Sequence, residues 1–333
     1  MKYLIITTIN PANIGSIEML SDSLSGWEIV VVGDKKTPNN WSYPGVKFIS
    51  TDEQLEIFPG FADATPFNSY SRKNIGYAYA IRNGASVIAE TDDDNYPYSN
   101  YLESVSQDIK GYSIQEQGKW INIYRIFTQQ AIWPRGFPLD LIEKSFKGYE
   151  LEVTPSLSRA IVQQYLENGD TDVDAVYRLT VNKDVEFSAD LNIFLNKSQW
   201  CPFNSQNTVW FKDSFPLMYL PSFVSFRMTD IWRSFVVQAC LHAMDERIVF
   251  CSPTVYQERN EHNLMADFSQ EIPGYQHNKE LVEILAQLEL QRGKHHINNN
   301  VFLCYKALHD MMGVITLEEL DLLGLWFDAI AEE

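Results

Sequence analysis

Three consecutive aspartates, Asp92, Asp93 and Asp94, follow the apolar run at 87–90. Adjacent carboxylates repel one another, so core packing does not explain them. Oxygen ligands clustered at the end of a buried strand suit a hard divalent cation such as Mg²⁺ or Mn²⁺, which is usually bound together with substrate phosphates. The pattern therefore predicts a metal-assisted phosphate site in a crevice. The alternative is an acidic loop on a solvated surface.

The elements that must position these aspartates are predicted by apolar runs in the first ninety residues. Strands are expected at 3–8, 27–34, 46–49 and 87–90, with helices at 15–24 and 74–83. Continuous apolar runs are typical of parallel strands buried on both faces. The alternation of strands and helices predicts an α/β doubly wound, mostly parallel sheet, in which ligands bind beyond the carboxyl ends of the strands.

Polar residues follow three of these predicted strands. Thr7 and Thr8 end the first, Asp34 ends the second, and the aspartate triplet ends the fourth. Because the ends of parallel strands meet at one edge of a sheet, we expect these residues to converge on one crevice.

The remainder of the chain has weaker patterns. We expect a helix or loop-helix at 154–168, a helix at 172–179, a strand after the polar turn at 203–208, a helix at 229–243, and helical segments from 280 to the C-terminus. These segments predict one compact domain with a helical C-terminal extension.

Composition excludes several classes of function. The chain has 333 residues, 45% of them hydrophobic, and a formal net charge of -18. Such acidity argues against nucleic acid as a partner. The four cysteines form no CxxC pair, which argues against a zinc site and favours a reducing, cytoplasmic location. No apolar run approaches the length of a membrane span, so we expect no transmembrane segment.

Several strings together resemble the STELLO family of glycosyltransferase-like proteins. In order, between about residues 30 and 265, they are VVVGDKKTP, YSRKNIGYAYAIRNGA, ETDDDNYP, WPRGFPL, DVDAVYRL, PFNSQNT, TDIWRS and QERNEHN. The similarity is to the lumenal domain of the plant members, which carry a membrane anchor. It implies a GT-A-like sheet, a UDP- or GDP-sugar donor and Mn²⁺ or Mg²⁺. It leaves the acceptor unidentified.

The resemblance also implies a division of the chain. Residues 1–270 would form a GT-A-like catalytic domain, with a nucleotide-sugar-binding half at 1–110 and an acceptor half at 111–270. Residues 271–333 would be the helical extension. In this arrangement Asp94 is predicted to bind the metal, and Asp92 to bind the metal or the donor ribose. Asp93 would face the opposite side, as a structural residue or a donor contact.

Other residues of the first half are candidates for donor binding. Arg72 and Lys73 precede a helix, where cations oppose the helix dipole unless an anion such as a diphosphate is bound. The alternative is a pair of surface charges. Asn74 could cap the helix or touch the donor. The resemblance implies that Thr7, Thr8 and Asp34 hold the base and ribose, although an aspartate after a glycine is also common in turns.

Candidates for the acceptor side come from the second half. Asp230 opens a predicted helix and is either a helix cap or the general base of an inverting enzyme. Trp232 and Arg233 follow it, as an acceptor surface or as core residues. A further group, Asp172, Asp174 and Arg178, is either an ion-paired helix start or part of the acceptor side. His262 is a candidate third metal ligand.

The leading function is a metal-dependent glycosyltransferase. A nucleotide-sugar mutase would share the donor site, and a scaffold protein would retain the fold without turnover. A nucleotidyltransferase is a further alternative, but residues 7–15 contain one glycine and lack a glycine-rich phosphate loop.

Overall fold

A computed structural model describes residues 1–12, 15–115, 118–259 and 263–331. The strands in this part of the chain are β1 (Lys2–Thr7), β2 (Glu28–Val32), β3 (Val46–Ile49), β4 (Val87–Asp92), β5 (Asn95–Pro97), β6 (Asp108–Ser113), β7 (Ser156–Arg159), β8 (Val162–Gly169), β9 (Asn192–Phe194), β10 (Asn207–Phe211) and β11 (Ile248–Gln257).

The α-helices in the same part are α1 (Gly15–Ser23), α2 (Thr51–Ile57), α3 (Pro59–Ala64), α4 (Lys73–Arg82), α5 (Tyr124–Phe127), α6 (Ile142–Ser145), α7 (Ala175–Thr180), α8 (Thr229–Ala243), α9 (Leu264–Gln287), α10 (Ile297–Met312) and α11 (Leu317–Ile330). A 3₁₀ turn at Tyr70–Arg72 leads directly into α4.

The sheet has the order β3-β2-β1-β4-β10-β8-β11-β9-β6-β7, and β5 pairs with β11. Its first four strands are all parallel. Strand β10 then runs antiparallel between β4 and β8, and the later strands mix both directions. The α/β doubly wound class predicted from the sequence is confirmed. Parallel β1, β2 and β4 bring their carboxyl ends to one edge.

Helix α4 lies tightly on β1 and β2. A Cβ atom at Gly76 would lie 2.5 Å from Ile5 Cγ2 and 2.8 Å from Val32 Cγ2, so the close approach requires glycine. This packing fixes the start of α4, and with it Lys73, beside the end of β4.

The helix expected at 154–168 is wrong, because β7 and β8 occupy that segment. Its Gln, Leu and Glu residues suit a helix, but β8 is buried between β10 and β11. Its two glutamines find hydrogen-bond acceptors there. Gln163 donates to Ser106 O at 2.6 Å, and Gln164 donates to Asn204 Oδ1 at 2.9 Å. Tertiary burial thus overrides local propensity.

The C-terminal helical region begins at Leu264, earlier than expected, and packs back onto the first half. Helix α11 lies against α3 and α4. Trp326 is fully buried with its ring 6.0 Å from that of Phe61, and Arg82 Nε donates to Ala329 O at 2.9 Å. Among the helices of the described residues, none is long and apolar enough to cross a membrane.

Candidate active site

A cavity of about 510 Å³ opens at the carboxyl ends of β1, β2 and β4. The first half of the chain lines it with Thr7, Thr8, Asn10, Asp34, Lys36, Ser69, Tyr70, Arg72 and the aspartates at 92–94. The second half adds Arg135, Gln206, Phe226, Arg227, Asp230, Gln257 and Arg259. The three polar strand ends singled out in the sequence therefore meet in one cavity.

The aspartate triplet does not continue as a strand. Strand β4 ends at Asp92, and Asp93 and Asp94 form the turn into β5. The prediction that Asp92 and Asp94 alternate along one extended strand is therefore wrong. The turn nevertheless keeps all three residues in the cavity wall.

Asp92 is held by the start of α4. Its Oδ1 accepts hydrogen bonds from Lys73 Nζ at 2.8 Å and from Tyr70 Oη at 2.7 Å. Lys73 is fully buried and also donates to Ser205 O at 3.1 Å. Lys73 thus balances the charge of Asp92 from the protein interior, and this ion pair fixes the orientation of the Asp92 carboxylate in the cavity wall.

Asp93 ties the turn to the end of β1. Its Oδ2 accepts from Thr8 Oγ1 at 2.5 Å and from Asn10 Nδ2 at 3.0 Å. Burial raises the pKa of Asp93, and these two hydrogen bonds oppose the rise. Asp93 therefore has a structural role in addition to its place in the wall.

Asp94 is the least satisfied of the three carboxylates. Its side chain meets Gln257 Nε2 only at 3.4–3.5 Å. Burial, followed by the charges of Asp92 and Asp93, raises the pKa of Asp94 to about 7. Lys73 pairs with Asp92, and Arg259 only partly offsets the rise in the pKa of Asp94. A divalent ion would relieve the remaining repulsion among the carboxylates.

The three carboxylates face different partners. Consequently, no group of three or more His, Cys, Asp or Glu side chains among the described residues is arranged to hold a metal ion. His262 lies outside the described residues. A metal here would rest on Asp92 and Asp94 with oxygens from a ligand, an arrangement common for Mg²⁺.

The structure revises the roles of Arg72, Lys73 and Asn74. Arg72 forms part of the wall, but its guanidinium donates to Gln54 Oε1, Ala62 O and Thr65 O at 2.7–2.9 Å. Burial lowers its pKa to about 10. A phosphate contact predicted for Arg72 or Lys73 would have to displace protein acceptors.

Asn74 also faces the protein interior. Its side chain donates to Leu220 O at 2.8 Å and accepts from Leu220 N at 2.9 Å. It neither caps α4 nor lines the cavity. The predicted donor contact of Asn74 is therefore wrong, because both polar atoms of its amide bind Leu220 and so join α4 to the second half of the chain.

Asp34 has the turn contacts that the sequence offered as one alternative, and its contact with a base or ribose stays a prediction. Its Oδ1 accepts from Lys35 N at 2.6 Å, as in a turn, and its Oδ2 accepts from Ser69 N at 3.1 Å. The residue also lines the cavity beside Thr7 and Thr8. It joins the end of β2 to the loop before α4.

Arg135, in the cavity wall contributed by the second half of the chain, is held between two carboxylates. Its Nε donates to Asp172 Oδ1 at 2.8 Å, and its Nη1 and Nη2 donate to the two oxygens of Asp230 at 3.0 and 2.9 Å. Burial would raise the pKa of Asp172, but Arg135 and Arg227 hold it well below its usual range.

Asp230 is a cavity residue and not a helix cap. The N-cap of α8 is Met228, which makes no side-chain cap bond. The Asp230 carboxylate is instead oriented by the bidentate Arg135 pair, a geometry with two parallel hydrogen bonds. Asp230 Oδ1 also accepts from Ile231 N at 3.0 Å, so the carboxylate satisfies one amide of the first helical turn without being the N-cap. It is a fixed carboxylate in the cavity wall.

Asp174 and Arg178 support the site from outside the cavity wall. Asp174 caps α7 through Tyr177 N at 2.9 Å and accepts from Trp133 Nε1 at 2.7 Å. Burial raises its pKa to about 7. Arg178 donates to Asp170 and to Thr171 O. Arg178 is thus ion-paired, with Asp170 ahead of α7, whereas Asp174 is the N-cap of that helix. Neither lines the cavity, so their predicted place on the acceptor side is wrong.

Trp232 and Arg233 are core residues. Trp232 Nε1 donates to Asn278 Oδ1 at 2.9 Å, and Arg233 pairs with Glu90 at 2.8 Å. Both side chains are buried, and neither lines the cavity. Their predicted place on the acceptor side is wrong, because the faces of α8 that carry them pack inward.

Breaking the Glu90–Arg233 pair should cost stability and spare ligand binding. Glu90 also accepts from Trp210 Nε1 at 2.9 Å. Glu90→Gln leaves Arg233 without its counter-charge, so we expect a loss of about 3–5 kcal/mol in the free energy of unfolding. Urea denaturation measures this loss. A variant as stable as the wild type would contradict the structural role.

Sequence reasoning missed Arg135, Arg227 and Arg259. Two of them had a signal, since Arg135 lies within WPRGFPL and Arg259 within QERNEHN. Neither segment is a strand end or a helix start of the predicted sheet, so nothing in local pattern placed them beside the aspartates. Pairing of β5 with β11 brings Arg259 beside the aspartate turn. Arg135 is placed separately, by the bridge between Pro134 and Val173 and by the hydrogen bond from its N to Asp172 O.

A doubly wound sheet with charged side chains gathered at its strand ends places the chain in the class of α/β proteins that bind ligands at that edge. Residues 227–331 match the family model of the STELLO glycosyltransferases. The chain is 30% identical over 253 residues to probable glycosyltransferase STELLO2 of Arabidopsis thaliana, and 29% identical to STELLO1. It therefore carries a STELLO-family domain.

Each of these alignments covers 70% of this chain and 33% of the plant protein. The chain thus spans about a third of the length of the curated relatives it matches. Among solved structures, a mycobacterial protein aligns with a TM-score of 0.45 and 10% identity, covering 85% of this chain and 72% of that one. S. aureus TarS 1-349 in complex with UDP-GlcNAc aligns with a TM-score of 0.36 and 14% identity, over 99% and 82%. Alignments this distant carry no argument on function.

Proposed function

We propose that this chain is a metal-dependent glycosyltransferase that moves a sugar from a nucleoside-diphosphate sugar to an acceptor. The observation that carries the proposal is the meeting of Asp92 and Asp94 with Thr7, Thr8 and Asp34 in one cavity at the strand ends. The family relationship supports the reaction class. The acidic turn supports a site for a metal and a diphosphate.

Asp92 and Asp94 are the residues that would hold Mn²⁺ or Mg²⁺, which supplies Lewis acidity at the diphosphate leaving group. The donor set fits, because both carboxylates line the cavity and Asp94 makes only long contacts with Gln257. Lys73 already balances Asp92. Asp94 is therefore the carboxylate whose charge depends most on the ion.

The first half of the cavity suits the nucleoside of a UDP- or GDP-sugar. Asp34 is 8% exposed, and its carboxylate can accept an N–H from a uracil or guanine ring. Thr7 and Thr8 lie beside it. Arg72 and Lys73 are buried and stabilise this half of the cavity from within the protein. The opposite wall carries three arginines, Arg135, Arg227 and Arg259.

Asp230 is the proposed general base. Its Oδ1 accepts from Arg135 Nη1 and Ile231 N, and its Oδ2 accepts from Arg135 Nη2. Because a carboxylate oxygen has two lone pairs, Oδ2 can still receive a proton from an acceptor hydroxyl. Arg135 fixes the direction of the carboxylate, as a positioning residue.

Nucleotide binding tests the proposal most directly. We expect UDP or GDP with Mn²⁺ to raise the melting temperature, since a ligand at 100 times its Kd adds about 2.7 kcal/mol to the stability of the native state. A shift of about 4 °C is expected for a chain of this size, because the entropy of unfolding is about 2.1 cal/mol/K per residue. Differential scanning fluorimetry with EDTA and with ADP supplies the controls.

A failure of all nucleotides and nucleotide sugars to shift the melting temperature would overturn the proposal. A nucleotide-induced shift of the same size in the presence of EDTA would support the donor site and contradict its dependence on a metal. Transfer is then measured separately, by release of UDP or GDP from the sugar nucleotide in the presence of candidate acceptors.

A further inference from the structure

Arg259 is a buried cation with unused hydrogen-bond donors. Its side chain is 5% exposed and lines the cavity, and its Nε and Nη1 have no hydrogen-bond partner among the described residues. The neighbouring carboxylates lie too far for hydrogen bonds, at 3.8 Å for Asp170 Oδ2 and 3.6 Å for Asp172 Oδ1. Unsatisfied buried donors are costly, so a built site normally supplies their acceptor.

The carboxylates near Arg259 are already committed to other arginines. Asp172 accepts from Arg135, and Asp170 accepts from Arg178. Glu271 accepts from Arg227 Nε at 3.1 Å. Burial, and then the nearby Arg178, lowers the pKa of Arg259. Asp172, Asp170 and Asp94 oppose this lowering of the pKa, but Asp170 and Asp172 accept their hydrogen bonds from other arginines. An anionic ligand would supply the acceptors that Arg259 Nε and Nη1 lack.

The position of Arg259 indicates which molecule brings that anion. It follows β11, on the far side of the aspartate turn from the nucleoside residues at the ends of β1 and β2. Glu258 N donates to Asp94 O at 3.0 Å, which fixes this segment against the turn. Asp230, the proposed base, lies in the same half.

We propose that Arg259, assisted by Arg227, binds a phosphate or carboxylate group of the acceptor. The inference rests on the proposed function, because it assigns the far half of the cavity to the second substrate. The acceptor is then an anionic molecule, and its charge is recognised separately from the diphosphate of the donor.

Calorimetric titration of inorganic phosphate tests whether Arg259 binds an anionic group of the acceptor or the diphosphate of the donor. We expect phosphate to bind both the free protein and the protein saturated with UDP and Mg²⁺. Arg259→Gln should weaken phosphate binding by about 10-fold or more, as for loss of a charge-assisted contact. Its UDP affinity and melting temperature should match the wild type, since Arg259 holds no protein hydrogen bond through Nε or Nη1.

The matched control is Arg247→Gln. Arg247 donates to Ser113 and Ser158 away from the cavity, so this variant should bind phosphate normally. If Arg259→Gln does not fold, Arg259→Lys takes its place, with a smaller loss expected because lysine keeps the charge without the fork of donors.

Three results would overturn the inference. They are an absence of phosphate binding to the wild type, full displacement of phosphate by UDP, and equal losses of UDP and phosphate affinity in Arg259→Gln. The last two would assign Arg259 to the donor diphosphate. If UDP itself does not bind, the proposed function fails, while the phosphate titration without nucleotide still decides whether Arg259 is an anion site.

Discussion

Asp94→Asn should abolish the metal dependence of nucleotide binding. Asp94 is one of two cavity carboxylates proposed to hold the ion, and it has no cation of its own at hydrogen-bond distance among the described residues. Removal of an outer partner of a metal ligand typically costs about 10–100-fold in affinity, so loss of a direct ligand should cost at least roughly 100-fold. Calorimetry of UDP with and without Mn²⁺ measures this change.

The stability of the same variant separates a binding defect from misfolding. Burial and neighbouring charge raise the pKa of Asp94 to about 7 in the folded protein. A raised pKa means that this group favours folding at low pH and that its contribution is lost as pH rises toward and through about 7. Metal-free Asp94→Asn should therefore melt at or above the wild-type temperature at pH 8.

The control for this prediction is Asp213→Asn, which removes an aspartate far from the cavity. Asp213 pairs with Arg159 and Lys294 at the surface. Its loss should leave Mn²⁺-dependent binding intact. Equal UDP affinity in Asp94→Asn and the wild type, with Mn²⁺ present, would remove Asp94 from the metal site.

The strand ends could be predicted from the sequence because their signal is local. A buried parallel strand is a continuous apolar run, and the polar residues that follow it lie at a known edge of the sheet. For this reason Thr7, Thr8, Asp34 and Asp92 appear in the cavity as expected. The family strings added the reaction class, which no local pattern contains.

The orientation of charged side chains could not be predicted in the same way. The sequence predicts that Arg72 and Lys73 are diphosphate contacts, or else surface charges, but both side chains are buried where the 3₁₀ turn at Tyr70–Arg72 leads into α4. Arg233 lies about one helical turn beyond Asp230 on α8, yet its guanidinium pairs with Glu90 in the core and does not line the cavity. The direction of each of these side chains depends on which distant segment of the chain packs against it. The same is true of the contact between Arg135 and Asp230.

Asp230→Asn should lower kcat by about 10²–10⁴-fold, the usual contribution of a general base, while donor binding persists. The substitution also disturbs Arg135, because an asparagine amide nitrogen cannot accept from the guanidinium. Arg135 retains Asp172, so we expect a loss of about 1–3 kcal/mol in the free energy of unfolding. Turnover and urea denaturation are measured on the same preparation.

The comparison with Asp172→Asn decides whether Asp230 acts on the acceptor or only through Arg135. Both carboxylates hold this arginine, but only Asp230 lines the cavity. If Asp230 is the base, Asp172→Asn should lose comparable stability with a much smaller fall in kcat. Equal falls in kcat for the two variants would reduce Asp230 to a positioning residue, because the shared effect would then come from displacement of Arg135.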